Sequence, residues 1–130
     1  MSDRILIVDD EPTITELAGK ILASDGYQIF KANSAHKAMD VWHLNHEPGI
    51  VLTDLKLGGD MDGVALCSKI RYESPRTIVI AMTGHSDEYQ LAYCRGVGFS
   101  DVLEKPICKE DLLDAIRCAS QQRARWKDML

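Results

Sequence analysis

The sequence lacks the features typical of membrane-spanning, secreted and nucleic-acid-binding proteins. No apolar run approaches the length needed to cross a bilayer, and the first residues lead into a short apolar segment without the layout of a signal peptide. The formal net charge is −5, which argues against a nucleic-acid surface because phosphate binding requires a basic excess. We therefore expect a cytoplasmic protein that binds neither nucleic acid nor membrane directly.

Cysteine is sparse, and its spacing indicates neither disulfides nor a zinc site. There is no Cys-x-x-Cys pair among the four cysteines, which are Cys67, Cys94, Cys108 and Cys118. We interpret all four as small buried hydrophobic residues in a reducing compartment. The 130 residues, 45% of them hydrophobic and 27% charged, are enough for one compact core and too few for two ordinary domains.

Short apolar runs alternate with segments of helical period along the chain. Three runs are continuous and rich in β-branched residues, as expected for parallel strands covered on both faces, and two are shorter or more mixed, as suits edge strands. The five predicted strands are 5–8, 27–31, 50–52, 78–80 and 101–103. Pro12 and Gly26 bound the first helical segment, and Asp62 and Ser86 are predicted to begin the third and fourth. Five β-α units in strict alternation predict an α/β domain with a parallel sheet and helices on both faces.

Polar residues stand where the predicted strands end. Asp9 and Asp10 follow the first strand, Asp54 ends the third, Thr83 the fourth and Lys105 the fifth. The carboxyl ends of parallel strands meet at one edge of a sheet, so these five side chains should converge. Three neighbouring carboxylates repel one another by roughly 4 kcal/mol per pair at an effective dielectric near 20, and a hard cation such as Mg²⁺ removes that cost. Carboxylates, cation, lysine and hydroxyl are the groups that phosphoryl transfer needs.

Each of these residues also has a plain structural interpretation. A single Asp after a strand is commonly a helix cap or a turn former, and Thr83-Gly84 is compatible with a simple turn. Capping does not explain the joint pattern, with these residue types in this order at the ends of successive units.

Five segments of the chain resemble the receiver family of response regulators. They are ILIVDDEP (5–12), VLTDL (51–55), MDG (61–63), AMTG (81–84) and LEKP (103–106). The resemblance spans nearly the whole chain and implies a flavodoxin-like, doubly wound (βα)5 fold with five parallel strands in the order 2-1-3-4-5. From the residue pattern we expect a receiver domain over residues 1–120, followed by a helical extension or linker over 121–130.

The resemblance assigns roles to the acidic residues. Asp54 is expected to accept a phosphoryl group from the phosphohistidine of a histidine kinase or phosphotransfer protein. Asp10 and Asp54 are expected to bind Mg²⁺ directly and Asp9 largely through water, with the backbone carbonyl of Lys56 completing the site. The family acts as a phosphorylation-dependent signalling switch, so the chain is expected to assist only its own phosphorylation and dephosphorylation.

The same resemblance assigns roles to two other strand-end residues. Lys105 is expected to hold one phosphoryl oxygen, and Thr83 to close onto another once phosphate is present. The peptide bond before Pro106 is expected to be cis, which would aim Lys105 into the site.

The chain departs from the family pattern in two places. Gly58 stands where many receivers have Pro, and the loop after Asp54 carries one extra residue, as in receivers attached to hybrid histidine kinases. Val102 stands where receivers commonly carry Tyr or Phe. A short side chain that is stiff at its first torsion cannot exchange between buried and exposed positions as a ring does, so a different path for the output signal is expected.

Other polar residues carry weaker signals. His43 and His46 are three residues apart and compatible with a metal pair, but we interpret them and His36 as surface residues. His85 and Lys56 are expected beside the phosphoryl group, either as loop residues or as groups that control access of water. The segment 121–130 is compatible with a frayed tail, a linker or a dimer-forming or partner-docking helix.

Three other function classes fit the fold less well. A phosphoaspartyl phosphatase-like enzyme of the dehalogenase type would need a second Asp where Lys56 stands. A flavodoxin-like cofactor carrier would need a phosphate-binding loop where Asp10-Glu11-Pro12 is acidic. A non-phosphorylated pseudo-receiver interaction module would not need the full acidic set and Lys105. A homodimer is compatible with the sequence, which specifies no downstream effector.

Overall fold

A computed structural model describes residues 3–84 and 88–129. The predicted Ser86 cap and the predicted position of His85 lie outside these described residues. The chain forms five β-α units in strict alternation, as the sequence pattern predicts. The elements are β1 (Arg4–Val8), α1 (Pro12–Ser24), β2 (Gln28–Ala32), α2 (Ala35–Leu44), β3 (Ile50–Asp54), α3 (Gly63–Glu73), β4 (Ile78–Thr83), α4 (Glu88–Val97), β5 (Asp101–Glu104) and α5 (Lys109–Asp128).

The five strands form one parallel sheet in the order β2-β1-β3-β4-β5. The predicted flavodoxin-like order is therefore confirmed. Strands β1, β3 and β4 are buried almost throughout because helices cover both of their faces, which is why their sequences are continuous apolar runs. The edge strands β2 and β5 carry exposed positions and mixed sequences.

The side chains of the central strands point alternately to the two faces of the sheet and contribute to two separate hydrophobic cores. In β1, Leu6 and Val8 belong to the core covered by α2, α3 and α4, whereas Ile5 and Ile7 belong to the core covered by α1 and α5. Successive side chains of a strand point to opposite faces of the sheet, so one short strand can contribute to both cores.

The prediction of four buried cysteines is correct for two of them. Cys67 and Cys94 are fully buried, whereas Cys108 and Cys118 are exposed. Cys108 precedes the first turn of α5, outside the core. Cys118 adjoins the buried Ala119 but lies one helical step, about 100°, away from it, on the solvent side of α5.

Helix α5 continues through most of the segment 121–130 and ends at Asp128. Within this segment, the Nε of Arg123 lies 3.3 Å from the Oδ1 of Asp3, and its Nη1 lies 3.3 Å from the backbone oxygen of Arg76. The segment therefore packs against the amino-terminal edge of the sheet. The boundary between receiver domain and extension stays a prediction.

Within residues 3–84 and 88–129, none of the helices combines the length and the apolar character that crossing a membrane requires.

Candidate functional site

Four of the predicted site residues converge at the carboxyl edge of the sheet. Asp9 follows β1, Asp54 ends β3, Thr83 ends β4 and Lys105 follows β5. Because β3 lies between β1 and β4 in the sheet, Asp54 is at the centre of the group. Asp9 and Thr83 are buried, and Asp54 is 9% exposed, so the group lies at the bottom of a depression.

Lys105 joins the two buried carboxylates. Its Nζ donates to the Oδ2 of Asp9 at 2.9 Å and to the Oδ2 of Asp54 at 3.1 Å. Burial by itself lowers the pKa of Lys105, but the hydrogen bonds and attraction of the two carboxylates outweigh it, so its pKa is raised above the usual value. The ammonium group is therefore charged at neutral pH. The peptide bond between Lys105 and Pro106 is cis, as predicted.

The carboxylates of Asp9, Asp10 and Asp54 can share one cation. Each offers an oxygen atom, and these three oxygens lie within 4.8 Å of one another. Asp10 is exposed and Asp9 is buried, so the cluster opens to solvent on one side. An all-oxygen, anionic donor set with an open side fits a hard divalent ion that keeps several water ligands, as Mg²⁺ does.

Lys56 contributes to the same loop through its backbone. Its amide N–H donates to the Oδ1 of Asp54 at 3.3 Å, which helps to hold the carboxylate in place. The side chain of Lys56 is exposed at the edge of the depression. Its predicted role as a carbonyl ligand stays a prediction.

Hydrogen bonds fix the start of α3 next to the loop that follows Asp54. As predicted, Asp62 begins this helix: its Oδ1 accepts a hydrogen bond from the amide of Ala65 at 2.9 Å. The amide of Gly63 donates to the backbone oxygen of Leu55 at 3.1 Å. The loop after Asp54 is thus tied to the helix that follows it.

The depression above Asp54 is a cleft of about 530 Å³. Its described lining residues include four predicted site residues, two neighbours from the adjoining loops and one residue of α4; they are Asp54, Lys56, Thr83, Lys105, Glu11, Gly84 and Gln90. Gln90 is not among the residues predicted from the sequence to form the site. The helical spacing does indicate its position, because Gln90 precedes the buried Cys94 by four residues. This spacing places a polar side chain on the inward-facing row of α4.

The other histidines and Val102 lie away from this cleft. The Nε2 of His43 is 3.0 Å from the Oε1 of Glu73, so His43 contacts a carboxylate of α3 at the surface. Val102 pairs with Ala81 in the sheet, is half-buried and packs against the core beneath α4. As expected from the sequence, this position has no aromatic ring that could exchange between buried and exposed positions.

The chain matches a family model described as "Response regulator receiver domain" over residues 5–117. It is 29% identical over 117 residues to Sporulation initiation phosphotransferase F of Bacillus subtilis, covering 90% of this chain and 93% of that protein. It is 33% identical over 132 residues to Transcriptional regulatory protein GlrR of Escherichia coli. That match covers 97% of this chain, which spans only 29% of the length of GlrR.

Solved structures give the same comparison in three dimensions. A response regulator receiver domain protein from Clostridium thermocellum superposes with a TM-score of 0.87 at 28% identity, covering 95% of this chain and 98% of the other. NtrX from Brucella abortus superposes with a TM-score of 0.91 at 28% identity, covering 99% of this chain and 29% of the other.

Proposed function

The chain belongs to the response regulator receiver domain family, a family of phosphorylation-dependent switches, and we propose that Asp54 is the residue that accepts the phosphoryl group. The observation that carries this assignment is the contact of Asp54 with Lys105 beside Asp9 and Asp10. Asp54 has a carboxylate oxygen at the bottom of an open cleft, and a fixed positive charge lies 3.1 Å from it.

The proposed chemistry is an in-line displacement at phosphorus. An oxygen of Asp54 attacks the phosphorus of a phosphohistidine, and the bond from phosphorus to the histidine nitrogen breaks with its electron pair staying on nitrogen. Lys105 is already within hydrogen-bonding distance of Asp54. Its ammonium group can therefore donate a hydrogen bond to an oxygen of the phosphoryl group that Asp54 accepts. Thr83, which lines the same cleft, can donate its hydroxyl to another. Positioning and charge neutralisation are most of what such a transfer requires.

Asp9, Asp10 and Asp54 would hold a Mg²⁺ ion, which neutralises charge on the phosphoryl oxygens when bound. Asp10 contributes an exposed ligand and Asp9 a buried one that Lys105 also contacts. The direct role of Asp10 and the water-mediated role of Asp9 are those that the family resemblance implies, and the exposure of the Asp10 carboxylate supports the first of them.

The proposed partners are a histidine kinase or a histidine phosphotransfer protein as phosphodonor. We assign no reaction on an external substrate, because the cleft groups account for phosphorylation and dephosphorylation of Asp54 alone. We also propose a cytoplasmic location, as expected from the sparse cysteines without a Cys-x-x-Cys pair.

Phosphorylation with acetyl phosphate and Mg²⁺, read by intact mass, tests the assignment. The wild-type chain should gain about 80 Da, the mass of one phosphoryl group. Asp54→Asn should gain none, and Asp60→Asn, a matched change at an exposed residue of the following loop, should label like wild type. Full labelling of Asp54→Asn would show that another residue is the acceptor.

A further inference from the structure

The cleft above Asp54 contains an amide side chain that the family assignment does not use. Gln90 lies in the first turn of α4, close to the carboxyl end of β4. It is half-buried, and it lines the cleft together with Asp54, Thr83 and Lys105.

The orientation of α4 explains why Gln90 reaches the cleft. Residues four apart lie on the same face of a helix, and Cys94, four residues after Gln90, is fully buried in the core. Gln90 therefore lies on the inward-facing row of α4, at the end where the core gives way to the cleft.

The direction of hydrolysis places the attacking water inside the cleft that Gln90 lines. In-line displacement requires the water to approach phosphorus opposite the bond to Asp54. Because Asp54 is at the bottom of the cleft, that approach is from the mouth. The described lining residues include three side chains that the phosphorylation chemistry leaves unassigned: Glu11, which only accepts hydrogen bonds when ionised, Lys56, which only donates, and Gln90, which does both.

We propose that Gln90 orients the water that hydrolyses phosphorylated Asp54 and so sets the lifetime of the signal. The amide oxygen accepts a hydrogen bond from the water, and the amide nitrogen donates to a phosphoryl oxygen. The water oxygen forms a bond to phosphorus, and the bond from phosphorus to the Asp54 oxygen breaks with its electron pair staying on Asp54. The proton lost by the water goes to the released phosphate. This inference rests on the proposed phosphorylation of Asp54.

Decay of the phosphorylated protein tests the role of Gln90. Wild type, Gln90→Met and Gln90→Glu are labelled with acetyl phosphate, freed of donor, and followed by intact mass with Mg²⁺ present. Gln90→Met keeps the length of the side chain but cannot orient a water, so its half-life should be roughly tenfold longer. Gln90→Glu can accept from the water but cannot donate to phosphate, so its half-life should lie between the two. Gln121→Met, the same change at an exposed position of α5, should decay like wild type.

The rate of labelling separates this role from a structural one. A structural defect would slow both labelling and decay, whereas loss of water orientation should slow decay alone. An unchanged or shorter half-life in Gln90→Met would overturn the inference while leaving phosphorylation of Asp54 intact. If Gln90→Met does not fold, Gln90→Glu decides by the same criterion. Absence of labelling in the wild type would instead refute the proposed function.

Discussion

The α-carbon of Gly63 lies directly against the backbone carbonyl of Asp54. A β-carbon built on Gly63 would overlap that oxygen, well inside any real carbon–oxygen contact. The neighbouring atoms are backbone, which cannot rotate away as a flexible side chain can. Gly63, the first residue of α3, therefore limits where the proposed phosphoacceptor Asp54 can lie.

We expect Gly63→Ala to displace Asp54 and to destabilise the fold by about 1–3 kcal/mol, as overpacking does elsewhere. Urea unfolding gives the free energy of unfolding, and labelling with acetyl phosphate gives the rate at Asp54. Gly58→Ala is the matched control, because a β-carbon at Gly58 meets nothing within 4 Å. Equal stability and labelling in the two variants would contradict the close contact.

Removal of an exposed carboxylate tests the metal site. Asp10→Ala should weaken Mg²⁺ binding by roughly tenfold or more, because it removes a proposed direct ligand. The Mg²⁺ dependence of the labelling rate measures this change, and a chelator should abolish labelling of the wild type. Asp60→Ala should leave the Mg²⁺ dependence unaltered. If Asp10→Ala titrates like wild type, the three carboxylates do not form the proposed site.

Because position 102 is a valine, we expect phosphorylation to change a different part of the domain from the part that changes in receivers with an aromatic residue there. Because a half-buried valine cannot exchange positions as a ring does, we expect the change to run through the segment from Thr83 to Cys94 as a backbone shift or altered order. Amide hydrogen exchange with and without a phosphate mimic should show altered protection in this segment, with Tyr93, 49% exposed, as a surface reporter. Protection around Val102 should change little.

Val102→Tyr provides the comparison for this experiment. A ring at this position should transfer part of the protection change to β5. A dominant change at Val102 in the wild type, with α4 unaffected, would show that the usual path operates without its aromatic residue.

The four thiols should fall into two classes. Burial raises the pKa of the Cys67 thiol to about 11 and also raises that of Cys94, so both stay protonated and enclosed at neutral pH. Cys108 and Cys118 are exposed. Labelling with a thiol reagent at pH 8 should therefore modify two cysteines rapidly in the folded protein and all four in denaturant. Rapid modification of Cys67 would contradict its place in the core.

The end of α5 should stabilise the domain. Arg123 contacts Asp3 and the carbonyl of Arg76, and a β-carbon on Gly49 would overlap its guanidinium group. Arg123→Ala should lower the free energy of unfolding by about 1–2 kcal/mol, because it leaves a largely buried carboxylate without its cationic partner. Arg125→Ala, at an exposed position of the same helix, should have little effect. Equal unfolding curves for the two variants would support the prediction of a linker beginning at residue 121.

The sequence by itself determined the fold class and the membership of the site. Continuous β-branched runs specify buried parallel strands, and alternation with helical segments leaves few topologies, so the residues at strand ends had to meet at one edge. Asp9, Asp54, Thr83 and Lys105 could therefore be found without coordinates, because each needs only its place at the end of a strand.

Only the tertiary structure decided contacts that depend on distance between segments remote in the chain. The pairing of Lys105 with both Asp9 and Asp54, the contact of Gly63 with the Asp54 backbone and the location of Gln90 in the cleft all arise from how helices pack on the sheet. Periodicity identifies which face of a helix is buried, but not what that face meets. That partner is set by the packing of whole elements, to which every residue of the core contributes.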